Sequence, residues 1–270
     1  VTALLPRITG FLPQHLLNRL AQGIGNCTLP WVRSPLIRWF IRRYRVDMSE
    51  AAAPNPGAYA CFNAFFTRTL SAGARPTVPG ENTVACPADG TLSGFGNLPG
   101  GRLVQAKGRH YTLSELLADE TEAAQFEGGH WLTIYLSPRD YHRVHMPLAG
   151  RLRRQGHIPG RLFPVNPKAA KTLPKLLVQN QRRVCILEGD AGPFALVFVG
   201  ALIVGSIRTA WDNEPPPTAL AKGEEAGYFC LGSTVVAVFS CPLAMEPSLV
   251  PGAAVRCGQL LGSLMPPGGA

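Results

Sequence analysis

No Asp or Glu occurs among the first 46 residues, although seven arginines do: Arg7, Arg19, Arg33, Arg38, Arg42, Arg43 and Arg45. The remainder is nearly balanced, at 19 basic against 17 acidic residues, so seven of the nine net positive charges sit in the first sixth of the chain. Charge is scarce overall, at 16% of 270 residues, against 46% hydrophobic, which excludes a wholly disordered chain. No C-x-x-C pair joins the seven cysteines (Cys27, Cys61, Cys86, Cys185, Cys230, Cys241, Cys257). Their odd number and wide spacing argue against a zinc site or disulfide framework and for reduced thiols in a cytoplasmic protein. H-E-x-x-H is absent, and so is the G-x-S-x-G elbow of one large hydrolase class. No apolar run reaches the roughly 20 residues of a spanning helix. The longest, FALVFVGALIVGSI (Phe194 to Ile207), is rich in β-branched residues and broken by Gly200 and Gly205, so it reads as buried strands. The start, Val1 to Arg7, is interrupted by Pro6 and lacks the basic lead of a secretory signal. It opens on Val1 instead of Met, which leaves open whether residues precede it.

Glycine and proline are abundant, 29 and 25 residues, which opposes a helical bundle and favours short elements joined by turns. The N-terminal segment is the exception. Leu12, Leu16, Leu20 and Ile24 recur every fourth residue, as on one face of a helix. A second helix is expected from Ser34-Pro35, with Ser as N-cap and Pro at the first helical position. Ile37, Phe40, Ile41 and Tyr44 form its stripe, with Arg38, Arg42 and Arg45 facing away and Trp31 and Trp39 adding rings. An arginine-rich face opposite Trp, Phe and Leu describes an interfacial membrane helix. The plainer alternative is a helix packed on its own domain with solvated arginines. Residues 51–60 (AAAPNPGAYA) read as a linker. Beyond it one helix is expected at Leu113–Leu117, where Thr112 and Glu115 fit a capping box. The runs LTIYL, RVCIL, FALVFVGALIVGSI and STVVAVF read as strands, and the tail 266–270 as disordered. The fold class is therefore α+β: amphipathic helices in 1–60, then one β-rich domain over 61–270.

Three clusters could carry chemistry. Tyr135 to Pro147 (YLSPRDYHRVHMP) packs His142 and His145 with two arginines, an Asp and a Tyr. The H-x-x-H spacing is weak as a metal site and better as a source of a general base, although one structural and one exposed histidine would look the same. Gly232-Ser233 opens the STVVAVF run. A serine there usually satisfies backbone, but a preceding glycine also leaves its carbonyl open to attack by the next hydroxyl. Asp89-Gly90 is ordinary turn chemistry that could also orient a histidine. Spacing does not show that the Ser, His and Asp meet.

Taken together these segments resemble the phosphatidylserine decarboxylases of the bacterial proenzyme type, over nearly the whole chain. The resemblance is carried by Asp47-Met, FNAFFTRTL (62–70) with Arg75-Pro76, Pro87-Ala-Asp-Gly90, Gln105-Ala-Lys-Gly108, YLSPRDYHRVHMP, Leu162-Phe-Pro-Val-Asn166, Val199 to Ser206 and KGEEAGYFCLGST (222–234). Cys230 departs from it, standing where many relatives have a basic residue. The resemblance implies a helical membrane-docking segment on a barrel or sandwich-like catalytic domain. It implies that His145, oriented by Asp89, takes the proton of Ser233, whose oxygen attacks the Gly232 carbonyl. Cleavage between 232 and 233 then gives a large subunit (1–232) and a small one (233–270), with Ser233 converted to a pyruvoyl group. That group binds the serine amine and accepts the electrons released with CO₂, so neither pyridoxal nor a metal is required. An acid for the α-carbon would be His142 or His145, and His142 could instead hold the substrate's phosphate or carboxylate. The implied partners are phosphatidylserine in an anionic bilayer, at the cytoplasmic face of the inner membrane, and a second copy in a homodimer.

Rival classes fit less well. A nucleic-acid binder would place its aromatics on a flat stacking surface, whereas these fall on helical stripes and the rest of the chain is near neutral. A serine hydrolase would need the missing elbow. A catalytically dead lipid binder would not retain Asp89, His142, His145, Gly232 and Ser233. A sister decarboxylase for another serine-headed lipid stays open, since no residue identifies the acyl chains.

Overall fold

The computed structural model describes residues 14–106, 109–201, 206–213, 218–230 and 233–265. Gly232, Leu12 and the 266–270 tail lie outside them. The chain begins with helices α1 (Gln14–Gly25), α2 (Pro30–Tyr44) and α3 (Phe62–Phe66). Strands β1 (Thr83–Ala85), β2 (Gly90–Asn97), β3 (Arg102–Ala106) and β4 (Arg109–Thr112) follow, then helices α4 (Leu113–Leu117) and α5 (Glu120–Ala124). Next come β5 (His130–Leu136), β6 (Arg143–His145) and β7 (Gly150–Ile158), then helices α6 (Pro167–Thr172) and α7 (Leu176–Gln179). The rest is strand: β8 (Arg182–Gly189), β9 (Gly192–Val199), β10 (Ile207–Thr209), β11 (Ala219–Leu220), β12 (Glu225–Phe229), β13 (Ser233–Phe239), β14 (Leu243–Met245), β15 (Ala254–Val255) and β16 (Leu260–Leu264).

The main sheet has eight strands in the order β11-β7-β8-β9-β13-β5-β2-β15, every neighbour antiparallel. Its two ends do not pair, so among the described residues the sheet is open and no barrel closes. Smaller sheets, β1-β16-β14 and β10-β12-β6, pack beside it. STVVAVF became β13, buried at all seven positions between β9 and β5. An unbroken β-branched run can bury both faces, as a central strand must. FALVFV forms most of β9, and Ile207 opens β10. The capping box formed as expected: Glu115 N–H donates to Thr112 Oγ1 at 3.1 Å and Thr112 N–H to Glu115 Oε2 at 3.0 Å.

The second helix starts earlier than expected. It begins at Pro30, with Leu29 as N-cap, and Pro35 lies inside it. Pro30 can itself take the first helical position, where its missing N–H is no loss, and Pro35 forgoes one intrahelical bond. The stripe Ile37, Phe40, Ile41 and Tyr44 faces inward: Ile37 and Phe40 are buried in a small core with Val46, Tyr59, Phe62, Phe65 and Phe66. This helical layer therefore extends through α3, past residue 60. The alternative of a helix packed on its own domain thus describes that stripe. What stays exposed is another set, Leu20, Ile24, Leu29, Trp31 and Trp39, with Trp31 73% accessible. Leu20, Ile24, Leu29 and Trp31 surround the junction of α1 and α2. Among the described residues no helix is long and apolar enough to cross a membrane.

Candidate active site

β5 ends at Leu136, and a tight turn follows. Asp140 closes it, its N–H donating to the Ser137 carbonyl (2.9 Å) and its Oδ2 accepting from the Ser137 N–H (2.7 Å). The turn returns Tyr141 and His142 to the core. His142 is fully buried and packs on Phe66, with ring centroids 4.1 Å apart. Its Nδ1–H donates to the Asp140 carbonyl (2.8 Å). A carbonyl can only accept, so Nε2 holds the lone pair. That Nε2 is buried without a partner among the described residues. Burial, helped by the nearby Arg68 charge, lowers the His142 pKa to about 3.

Ser233 opens β13 directly opposite Leu136. It is fully buried, and its Oγ also has no partner among the described residues. Backbone pairings tie the segments that carry these two atoms. Ser233 pairs with the last residue of β5, and the His142 carbonyl accepts from Phe229 N–H (3.1 Å), four residues before Ser233. An unsatisfied buried polar group costs about 1–3 kcal/mol, and such groups call for an explanation.

His145 lies on β6, paired with Glu225 of β12. Its ring is half-buried and held at both nitrogens: Nδ1–H donates to the Gly223 carbonyl (2.8 Å) and Nε2 accepts from the Tyr141 hydroxyl (3.0 Å). Gly223 has φ +85°, and a Cβ there would lie 2.3 Å from Thr77 Oγ1, so this carbonyl is offered by a position suited to glycine. Arg143 anchors the same strand through Glu225 (2.5 Å) and the Thr67 carbonyl (2.9 Å).

Asp89 does not touch His145. Its Oδ1 accepts from Arg75 Nε (2.9 Å) and from the Cys257 N–H (2.8 Å), and its Oδ2 from Arg75 Nη2 (2.6 Å). Arg75 Nη2 also reaches Glu50 (2.7 Å). The bond to Asp89 raises the Arg75 pKa, and the bond from Arg75 lowers that of Glu50. The expected direct Asp89–His145 contact is thus replaced by Arg75 on one side and Tyr141 on the other. Gly90 lets the Asp89 turn press on β5, since a Cβ there would lie 2.3 Å from the Tyr135 carbonyl oxygen. Asp89, Tyr141, Arg68, Arg75, Arg139 and Arg256 line one cleft of about 320 Å³. Larger clefts elsewhere, of about 410 and 470 Å³, hold none of the candidate residues.

Of the expected site residues, His142 and Ser233 lie on segments tied by backbone pairing, His145 is held by Tyr141, and Asp89 lines the cleft that Tyr141 also lines. Tyr141, Arg75 and Gly223 had no role assigned from sequence. Their partners lie 4, 14 and 78 positions away, and only the first separation is short enough to have drawn notice. Among the described residues no cluster of three or more His, Cys, Asp or Glu could hold a metal.

Comparison with known proteins agrees with the resemblance. A family described as phosphatidylserine decarboxylase matches residues 62–263, and a second profile, described as PSD, matches 9–45. Relatives named phosphatidylserine decarboxylase proenzyme come from Ectopseudomonas mendocina (47% identical over 93% of this chain and 95% of the relative) and Azotobacter vinelandii (45% over 93% and 94%). Another, from Pseudomonas aeruginosa, is 47% identical over 93% of each chain. The chain belongs to the phosphatidylserine decarboxylase family.

Proposed function

We propose that this chain decarboxylates phosphatidylserine to phosphatidylethanolamine, using a pyruvoyl group made from its own Ser233. The observation that carries the proposal is a fully buried serine with an unpartnered hydroxyl at the head of the central strand, in a chain of this family. A hydroxyl without competing hydrogen bonds is free to act as a nucleophile once deprotonated. Ser233 Oγ attacks the Gly232 carbonyl carbon, and the amide becomes an ester. Loss of the Ser233 α-proton then expels the Gly232 carboxylate and leaves dehydroalanine, which hydrolyses to pyruvoyl and ammonia. The pyruvoyl group supplies a carbonyl for the substrate amine and an electron sink for the bond broken as CO₂ leaves. Residues 233–270 would remain after the break, because β13 keeps its ladders to both β9 and β5.

His145 suits the base of the processing step better than His142. Protonating a ring whose pKa is about 3 instead of 6.5 costs about 5 kcal/mol more, and that penalty falls on His142. His145 has its Nδ1–H pinned, which leaves Nε2 as the basic atom; Tyr141 must yield that nitrogen or relay the proton. Asp89 supports the pair from the cleft. His142, neutral and buried, is assigned to the decarboxylation step. Replacing each histidine by Ala separates these roles. His145→Ala should remain a single chain, whereas His142→Ala should be cut into two fragments yet lose at least 100-fold in CO₂ release. Cleavage surviving in the His145 variant would remove it as processing base.

The substrate is an anionic lipid, so the cleft must approach a bilayer. We place the contact at the exposed Leu20, Ile24, Leu29 and Trp31 with the surrounding arginines, as a peripheral attachment to the cytoplasmic face of the inner membrane; a homodimer is compatible with this. Basic residues near an anionic leaflet contribute about 1 kcal/mol each. Flotation with phosphatidylglycerol vesicles should weaken with salt and drop several-fold in a Leu20→Asp, Trp31→Asp double variant. Unchanged flotation would place the contact elsewhere.

A further inference from the structure

Among the described residues no carboxylate forms an ion pair with Arg68, although the charges of Asp89 and Asp140 act on it from a distance. It is only 5% exposed, yet it lines the cleft of Asp89 and Tyr141. Its Nη2 makes one long bond to the Arg139 carbonyl (3.4 Å), its guanidinium lies 5.6 Å from the Phe65 ring centroid, and its Nε is buried without a partner among the described residues. The acids around it are engaged elsewhere: Asp89 with Arg75, Asp140 with Arg139 and the Ser137 N–H. Arg182 shows how this chain satisfies a structural buried arginine. At 3% exposure, Arg182 donates to the carbonyls of Leu116, Val178, Asn180 and Glu115. Nothing comparable surrounds Arg68, and burial lowers its pKa. A desolvated guanidinium without an anion is costly, and its fork geometry suits a phosphate or carboxylate.

We propose that Arg68 is the residue that binds the phosphodiester of the substrate headgroup; this rests on the decarboxylase reading above. Phosphatidylserine carries two anions, and the chemistry distinguishes them. A cation on the carboxylate would hold back the electrons that must leave it as CO₂ departs. The phosphodiester is unchanged by the reaction, so a cation there binds substrate and transition state alike. Arg68 lies over the Phe65 ring while His142 packs on the adjacent Phe66, so a headgroup held at Arg68 lies on the His142 side of the cleft.

The test uses the full chain with Arg68→Met, which keeps the stem and removes the charge, and Arg68→Lys. Arg68→Met should be cleaved normally and melt no lower than the parent, because an unpaired buried charge has been removed. Its KM for phosphatidylserine in mixed micelles should rise about 10–100-fold with kcat within about threefold, and Arg68→Lys should fall between. Glycerophosphoethanolamine, which has the phosphodiester and no carboxylate, should raise the melting temperature of the parent but not of Arg68→Met; free serine should raise neither. An unchanged KM, a lower melting point in Arg68→Met, or serine stabilising the parent in place of glycerophosphoethanolamine would each overturn the assignment. If the parent neither cleaves nor releases CO₂, the decarboxylase reading fails, while a glycerophosphoethanolamine shift abolished in Arg68→Met would still establish the anion site.

Discussion

Ser233→Ala should run as one uncut chain, where the parent gives two fragments divided between 232 and 233. Its decarboxylase activity should fall at least 1,000-fold, to background. Both losses follow from one atom. Ser233 Oγ is the nucleophile of the cleavage, and its Cα and Cβ become the carbonyl and methyl of the pyruvoyl group. Stability should hardly change, because that Oγ makes no hydrogen bond among the described residues and alanine fits the same strand position. A denaturing gel, intact mass and CO₂ release measured on one preparation decide the matter. An active, uncut Ser233→Ala protein would end the pyruvoyl proposal. A destabilised variant would show that the hydroxyl had a structural partner.

Arg75→Met should be the most destabilising single change in the cleft. Arg75 and Asp89 each have side chains only 11% exposed, and they form a two-pronged pair that also holds Glu50. Removing the cation leaves Asp89 buried with the Cys257 N–H as its remaining hydrogen-bond donor. Breaking a buried pair in this way costs about 3–5 kcal/mol, whereas neutralising both members costs far less. Arg75→Met with Asp89→Leu should therefore recover most of the loss in urea unfolding at pH 7. The network also gives a pH signature. Glu50 is held below its ordinary 4.5 by the Arg75 bond, so its contribution is present above that pH and is lost as pH falls. The acid-side loss should be shallower in Arg75→Met. Equal stability of single and double variants would show that the pair is not a unit.

Several parts of this architecture were legible because the forces that form them are local. The capping box at Thr112 and Glu115 spans three residues, and the α4 helix it announced runs Leu113–Leu117. The STVVAVF run is apolar at nearly every position, which suits a strand covered on both faces. The start of α2 was misplaced because two prolines five residues apart both offered a first-turn position. The apolar stripe of α2 was visible, but periodicity cannot say whether lipid or Phe62, Phe65 and Phe66 covers it.

The site divides the same way. The residue types and their order identified the family and placed Asp89, His142, His145 and Ser233 as candidates, because a motif is a local string. Their geometry was decided by contacts the string does not contain. Gly223, 78 residues from His145, sets that ring's tautomer. Arg75 takes the carboxylate expected to orient the histidine. Burial, a property of the whole packed chain, drives His142 to about pKa 3 and leaves Arg68 with no ion pair among the described residues. The chain's own order of residues determined the chemistry available and the strand that carries the nucleophile. Tertiary packing alone decided which polar atoms keep a partner and which stay bare, because desolvation and long-range hydrogen bonds exist only once distant segments meet.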